Sequence, residues 1–375
     1  MNTHYDSPFG ALTLQRYPLF KNSKAQQNLQ AWEGADTLLL EELSKHDLSN
    51  KRILILNDQF GAISCALRAF DITIQTDSFL SSTAIRLNTQ ANTKQEPEKL
   101  VPSTTSLEGS FDLVVIKIPK SLSFLEDQLY AIRKHINEHS VVIASAMVKS
   151  LSKNTRDIFE KLLGPSEQSL ASRKSRLIHC NPSPNKWKGQ SPFPRSYSTH
   201  GLELSCDANV FAEGRLDPGT RVFLDYLQEL PKAETIIDLA CGSGIMGIMC
   251  AQTIEPKHTY FCDESFMAVA STTRNASRYL SERFSASCAN NIPESYPKMD
   301  LIVCNPPFHQ QQTMSTDIAM SMFKNAYRQL KRNGEFWVVA NRHLGYHTAL
   351  KKLFGNCENI AKHAKYVVLR CKRID

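Results

Sequence analysis

Thr235-Ile-Ile-Asp-Leu-Ala-Cys-Gly-Ser-Gly-Ile-Met-Gly247 is an apolar, β-branched run that breaks into closely spaced glycines and resumes with helical character. Such a stretch predicts a strand, a tight turn and a helix, because glycine lets the backbone take left-handed conformations and pass close to a ligand. In open α/β sheets ligands bind beyond the carboxyl ends of the strands. The turn is therefore expected to hold a nucleoside cofactor. A second short apolar run, Asp300-Leu-Ile-Val-Cys304, delivers Asn305, two prolines and Phe308 to the same edge.

These two stretches carry a resemblance. Asp238-Leu-Ala-Cys-Gly-Ser-Gly244 resembles the first motif of Rossmann-like S-adenosylmethionine-dependent methyltransferases, and Asn305-Pro-Pro-Phe308 resembles the motif of enzymes that methylate exocyclic or amide nitrogens. With the flanking His309-Gln310 and Asn341-Arg-His343, the chain is most similar to bacterial large-subunit ribosomal RNA guanine-N2 methyltransferases. The resemblance spans nearly the whole chain. It implies an α/β protein of two tandem Rossmann-like class I methyltransferase domains, the C-terminal one catalytic, acting on 23S ribosomal RNA in the cytoplasm. It also implies S-adenosylmethionine bound by Asp238, Ala240, Gly242, Gly244, Asp263, Asn290 and Asn305, with Asn291 as the alternative to Asn290, and chemistry at Asn305, Pro306 and Phe308. Two alternatives share the motif: guanine-N2 methylation of 16S ribosomal RNA, and methylation of a protein glutamine amide.

The residue types suit that chemistry. Asp263 lies 25 residues past Asp238, near the roughly 20-residue offset at which an acid at a second strand end binds ribose hydroxyls. A guanine N2 amine is a poor nucleophile because its lone pair is delocalised into the ring. It must be held in line at near-attack distance. Hydrogen bonds to the Asn305 side-chain oxygen and the Pro306 carbonyl would orient it, and Phe308 would stack on the flipped base. Phe211 and Thr220, in the segment before the turn, are read mainly as packing and capping residues.

Charge and cysteine usage narrow the classes. Of the net +7, an excess of seven lies between Lys149 and His200, where ten basic residues (Lys149, Lys153, Arg156, Lys161, Arg173, Lys174, Arg176, Lys186, Lys188, Arg195) face three acids. A positive band of this kind attracts a phosphate backbone, although it also suits a solvated surface. The ten cysteines form no CxxC pair, so no metal is expected and the thiols read as reduced. The first residues carry no basic segment followed by an apolar run, so no secretory signal is expected, and no apolar run is long enough for a membrane span.

The first half reads as a second copy of the same pattern. Asn57 falls opposite Asp238, Gly61 opposite Gly242, Asp77 opposite Asp263 and Asp112 opposite Asp300. Lys117-Ile-Pro-Lys120 then stands opposite Asn305-Pro-Pro-Phe308. A lysine offers no acceptor to an amine and repels a sulfonium, and Gln59-Phe60 crowds the turn. Residues 1–182 are therefore expected to form a degenerate methyltransferase-like domain with an RNA-holding or scaffolding role. The proline-rich, basic stretch 183–196 is the expected linker, and 197–375 the catalytic domain.

Overall fold

The computed structural model describes residues 3–19, 29–307 and 313–375, and the chain divides into two compact units, Met1–Phe193 and Pro194–Asp375. The first unit contains β1 (His4–Ser7), β2 (Gly10–Thr13), α1 (Gly34–Leu43), β3 (Arg52–Leu56), α2 (Ala62–Ala66), β4 (Asp71–Thr76), α3 (Phe79–Thr93), β5 (Leu100–Pro102), β6 (Leu113–Lys117), α4 (Leu122–Ile132), β7 (Val141–Met147), α5 (Thr155–Leu162), β8 (Ser166–Gln168) and β9 (Ser175–Cys180). The second contains β10 (Arg195–Thr199), β11 (Leu202–Cys206), α6 (Pro218–Leu224), β12 (Thr235–Leu239), α7 (Ile245–Ile254), β13 (His258–Asp263), α8 (Phe266–Tyr279), β14 (Phe284–Cys288), β15 (Met299–Cys304), α9 (Thr313–Gln329), β16 (Leu330–Asn341), α10 (Tyr346–Phe354), β17 (Glu358–Asn359) and β18 (Tyr366–Lys372).

Each unit builds one seven-stranded sheet, and the two orders correspond strand for strand: β5-β4-β3-β6-β7-β9-β8 and β14-β13-β12-β15-β16-β18-β17. In each, the first five strands run parallel and the penultimate strand runs antiparallel to both neighbours. Parallel strands are covered on both faces, so β12 reads as a continuous apolar run whose residues serve two cores in turn. Ile236 packs into one layer, Ile237 and Leu239 into the other. Each such buried side chain contributes roughly 1.5–3 kcal/mol. A hairpin precedes each sheet, β1-β2 in one unit and β10-β11 in the other.

The repeat is real, but its register at the cofactor-type turn differs from the sequence reading. Gly61 caps α2 at φ +89° just as Gly244 caps α7 at φ +82°, so Gly61 corresponds to Gly244, and Asn57 (φ +64°) to Ala240 (φ +62°). Two closely spaced glycines offered two alignments, and helix capping selects one. Likewise Thr76 corresponds to Asp263: its hydroxyl accepts from Ser78 N as the Asp263 carboxylate accepts from Ser265 N. The other two correspondences hold. Asp112 accepts from Arg52 N and Asp300 from Thr235 N, each tying the start of one strand to its neighbour.

The segment 183–196 contains the division between the units, yet most of it is packed on the first. Trp187 joins that unit's core and donates its indole N–H to the Leu163 carbonyl at 2.7 Å. A short 3₁₀ turn at Val148–Ser150 precedes α5, which begins at Thr155.

Candidate active site

The second unit converges its chemistry on the carboxyl edge of its sheet. The turn after β12 is left-handed at Ala240, Gly242 (φ +54°) and Gly244. A side chain at Gly242 would meet nothing within 4 Å among the described residues, whereas one at Gly244 would press on Thr272 at 3.0 Å. Gly242 therefore lies under open space and Gly244 under α8. Asp263, at the end of β13, accepts from Gly242 N at 2.9 Å through one carboxylate oxygen and from Ser265 N at 3.0 Å through the other.

Asp238 lies deeper than the sequence suggested. It is 1% exposed, pointing beneath α7, where one oxygen accepts from Gly247 N at 2.8 Å. The approach is close because position 247 is glycine: a Cβ there would stand 2.8 Å from Asp238 Cβ and 2.4 Å from Phe261. Burial, with Asp263 nearby, pushes the carboxyl up to about 7. Asp238 thus orders the turn from below.

Asn305 follows β15. Its amide nitrogen donates to Asp217 Oδ2 at 3.1 Å and to Thr220 Oγ1 at 3.0 Å. Asp217 is the N-cap of α6, accepting from Thr220 N at 2.8 Å, with Pro218 in the first turn. Both amide hydrogens are thereby used, and Asn305 Oδ1 is left as a buried acceptor with no hydrogen-bond partner among the described residues. Three more buried acceptors stand at the same edge without a partner among those residues: Asp238 Oδ1, Asn291 Oδ1 and Asn341 Oδ1. Buried acceptors of this kind call for donors.

The remaining expected residues fall as follows. Pro306 is buried and Pro307 exposed, while Phe308, His309 and Gln310 lie outside the described residues. Asn290 is half-buried, and its neighbour Asn291 carries the orphaned oxygen. Phe211 is 60% exposed, so the packing reading of it fails. Thr220 is buried as expected but does more than cap. Arg342 donates to the carbonyls of His363 and Ala364 and pins that loop. Burial raises the Cys241 and Cys304 thiols well above their ordinary value, so both stay protonated and neither serves as a nucleophile.

Two positioning features escaped the sequence reading. Asn275 on α8 accepts from Ser205 N and donates to the carbonyls of Ser205 and Ser243, stitching the hairpin to the glycine turn. Arg274 pairs with Asp207 at 2.9 Å and fixes the start of the segment that leads to Asp217. The repeat held a signal for the first: Asn88, as far beyond its Ser78 cap as Asn275 is beyond Ser265, bonds Gln15 and Phe60 in the same way.

In the first unit the corresponding edge is closed by its own side chains. Lys117 Nζ donates to Asp36 Oδ1 at 2.6 Å, both nearly buried. Asn57 and Gln128 exchange amide hydrogen bonds, and Asn57 also donates to the Lys117 carbonyl. Asp58 fills the turn, accepting from Gly61 N, Ser64 N and the Ser64 hydroxyl. Burial raises the Asp58 carboxyl above its ordinary range.

Of the basic band, Arg156, Arg173 and Arg195 pair with acids. Lys149, Lys153, Lys161, Lys174, Lys186 and Lys188 are exposed and have no acidic partner among the described residues. No described helix is long and apolar enough to cross a membrane, and no cluster of three or more His, Cys, Asp or Glu among the described residues could hold a metal.

Comparison with known proteins follows the same two-part division. Residues 2–184 match the family model described as the RLMG N-terminal domain, and residues 201–370 the methyltransferase small domain. The chain is 40% identical over 372 residues to the ribosomal RNA large subunit methyltransferase G of Stutzerimonas stutzeri, covering 97% of this chain and 98% of the relative. It is 37% identical over 383 residues to the protein of the same name from Streptomyces avermitilis, covering 99% of each. Among solved structures, a T. thermophilus 16S rRNA N2 guanine methyltransferase in complex with AdoMet and guanosine aligns with a TM-score of 0.75 at 20% identity, over 99% of this chain and 97% of that one. That likeness establishes the fold.

Proposed function

The chain belongs to the ribosomal RNA large subunit methyltransferase G family, and from that premise we propose that its second unit methylates the exocyclic N2 of a guanine in 23S ribosomal RNA. The enzyme is a methyltransferase that uses S-adenosylmethionine, which supplies, when bound, an electrophilic methyl group on a sulfonium. The edge fits that group. The space above Gly242 admits its amino-acid portion, Asp263 offers a carboxylate for the ribose diol, Asp238 orders the turn from below, and the Asn291 oxygen, without a partner among the described residues, is an acceptor for an adenine amine. A phosphate-bearing ligand would be repelled by the same acceptor-rich wall.

One observation carries the reading: Asn305 Oδ1 is buried, oriented and without a hydrogen-bond partner among the described residues. It accepts a hydrogen bond from the guanine amine, orients its lone pair, and is strengthened as an acceptor as positive charge develops on N2 during attack. The ring nitrogen system makes the methylated amine acidic, so its proton leaves after transfer and no base is needed beforehand. The free lysines of the first unit are proposed to hold the RNA phosphates, with residues 183–196 as the joint, and a ribosomal substrate implies work in the cytoplasm.

Incubation with labelled S-adenosylmethionine and ribosomal RNA from a strain lacking the modification, followed by nucleoside mass spectrometry, tests the proposal. Label in N2-methylguanosine from 23S RNA supports it. Label only in 16S RNA moves the substrate, and no labelled guanine overturns the reading.

A further inference from the structure

We propose that Asp217 and Thr220 are positioning residues that fix which way the Asn305 amide faces, and that Asp217 does so as a charge. The inference rests on the reading of Asn305 as the amine acceptor and deepens it. A terminal amide can rotate to exchange its oxygen and nitrogen, and in the exchanged state an amine substrate would meet an N–H instead of an acceptor. Here the exchanged state would set Asn305 Oδ1 against Asp217 Oδ2 and Thr220 Oγ1, at the 3.1 Å and 3.0 Å now spanned by hydrogen bonds. A carboxylate only accepts, so it repels that arrangement. Its charge also polarises the amide, and hydrogen-bonded chains strengthen one another in a buried site, so Oδ1 becomes a better acceptor. The path runs from carboxylate to amide to amine.

The chain contains an internal second instance. Asp36 stands third in α1 after its N-cap Glu33, as Thr220 does in α6 after Asp217, and Lys117 ends β6 as Asn305 follows β15. The same two positions touch again, but as an ion pair of 2.6 Å. Where the strand-end residue is a cation, the helix residue is an acid; where it is an amide, the helix residue is a hydroxyl backed by the cap carboxylate. The helix start and the strand end are matched as a unit in both cases.

The test uses the full chain and the variants Asp217→Asn, Thr220→Val and Thr220→Ser. Asparagine keeps the helix cap and an acceptor but drops the charge. Asp217→Asn and Thr220→Val are each expected to lower kcat by about 10- to 100-fold, while calorimetric affinity for S-adenosylhomocysteine and the melting temperature stay near those of the wild type. Thr220→Ser restores the rate. In ¹⁵N-labelled protein the Asn305 side-chain amide resonance moves in Asp217→Asn and Thr220→Val and stays in place in Thr220→Ser. If Asn305→Ala is inactive while Asp217→Asn and Thr220→Val turn over at the wild-type rate, the inference is overturned and the acceptor reading stands. A loss that Thr220→Ser does not restore, or that tracks weakened cofactor binding, overturns it as well. A wild-type chain that methylates no guanine overturns the acceptor reading first.

Discussion

Replacing Asn305 by alanine removes the oxygen proposed to face the amine and leaves Asp217 and Thr220 without their shared donor. The expected result is a fall in kcat of about 10²–10³-fold, the scale of losing one preorganised polar contact to a transition state, with a smaller loss in affinity for S-adenosylhomocysteine. Single-turnover rates and calorimetry check it. Asp238, on the neighbouring strand, makes a different prediction. Its carboxyl keeps a proton up to about pH 7 in the folded chain against an ordinary value of 3.8. Between those values the folded state binds more protons than the unfolded state, so the stability linked to Asp238 is full below about pH 4 and falls as pH rises to about 7, by an amount on the order of a few kcal/mol. Denaturant titrations of wild type and Asp238→Asn from pH 4 to 8 check the sign: the variant gains on the wild type as pH rises. The acceptor role of Asn305 was read from its motif, whereas the depth of Asp238 was not. The motif placed Asp238 at a strand end, but whether its carboxylate lies above or beneath the turn depends on α7 passing close over it, which only Gly247 permits.

At the scale of elements, strand positions were legible because β-branched apolar runs such as Ile236–Leu239 have no other way to be buried. The exact alignment of the two turns was not, since spacing alone could not choose between Gly242 and Gly244 as the partner of Gly61. The contact that orients Asn305 spans 88 residues of chain, beyond the reach of any local pattern. The glycines of the turn separate two kinds of effect. Gly247→Ala forces a methyl against Phe261 and Asp238, and a loss of roughly 1–3 kcal/mol is expected from overpacking between α7 and the sheet. Gly242→Ala meets no atom of the described residues within 4 Å, so its stability cost is the left-handed φ alone, about 1 kcal/mol, while affinity for S-adenosylhomocysteine falls far more. Thermal melts and calorimetry on the pair check it, and equal cofactor losses in both variants would argue against open space above Gly242.

Across the whole molecule, one fold was used twice, and among the described residues only the second copy leaves buried amide and carboxylate oxygens without a partner. Composition and repeat made the duplication legible, and Lys117 announced the difference. What the sequence did not convey is that the first unit is closed rather than merely altered, with Lys117 paired to Asp36, Asn57 to Gln128, and Asp58 turned onto Gly61 and Ser64. Binding is therefore expected at one cofactor per chain by calorimetry. Lys117→Met strands Asp36 in a nearly buried place and is expected to cost about 3–5 kcal/mol, without opening a second cofactor site.

The central claim is that Asn305 presents an oriented oxygen to a guanine amine, and a crystal structure of the full chain with S-adenosylhomocysteine and guanosine tests it most directly. The account predicts guanine N2 at about 2.7–3.2 Å from Asn305 Oδ1, with the amide nitrogen still on Asp217 and Thr220. Guanosine seated away from Asn305, or an amide turned so that its nitrogen faces the base, would contradict it.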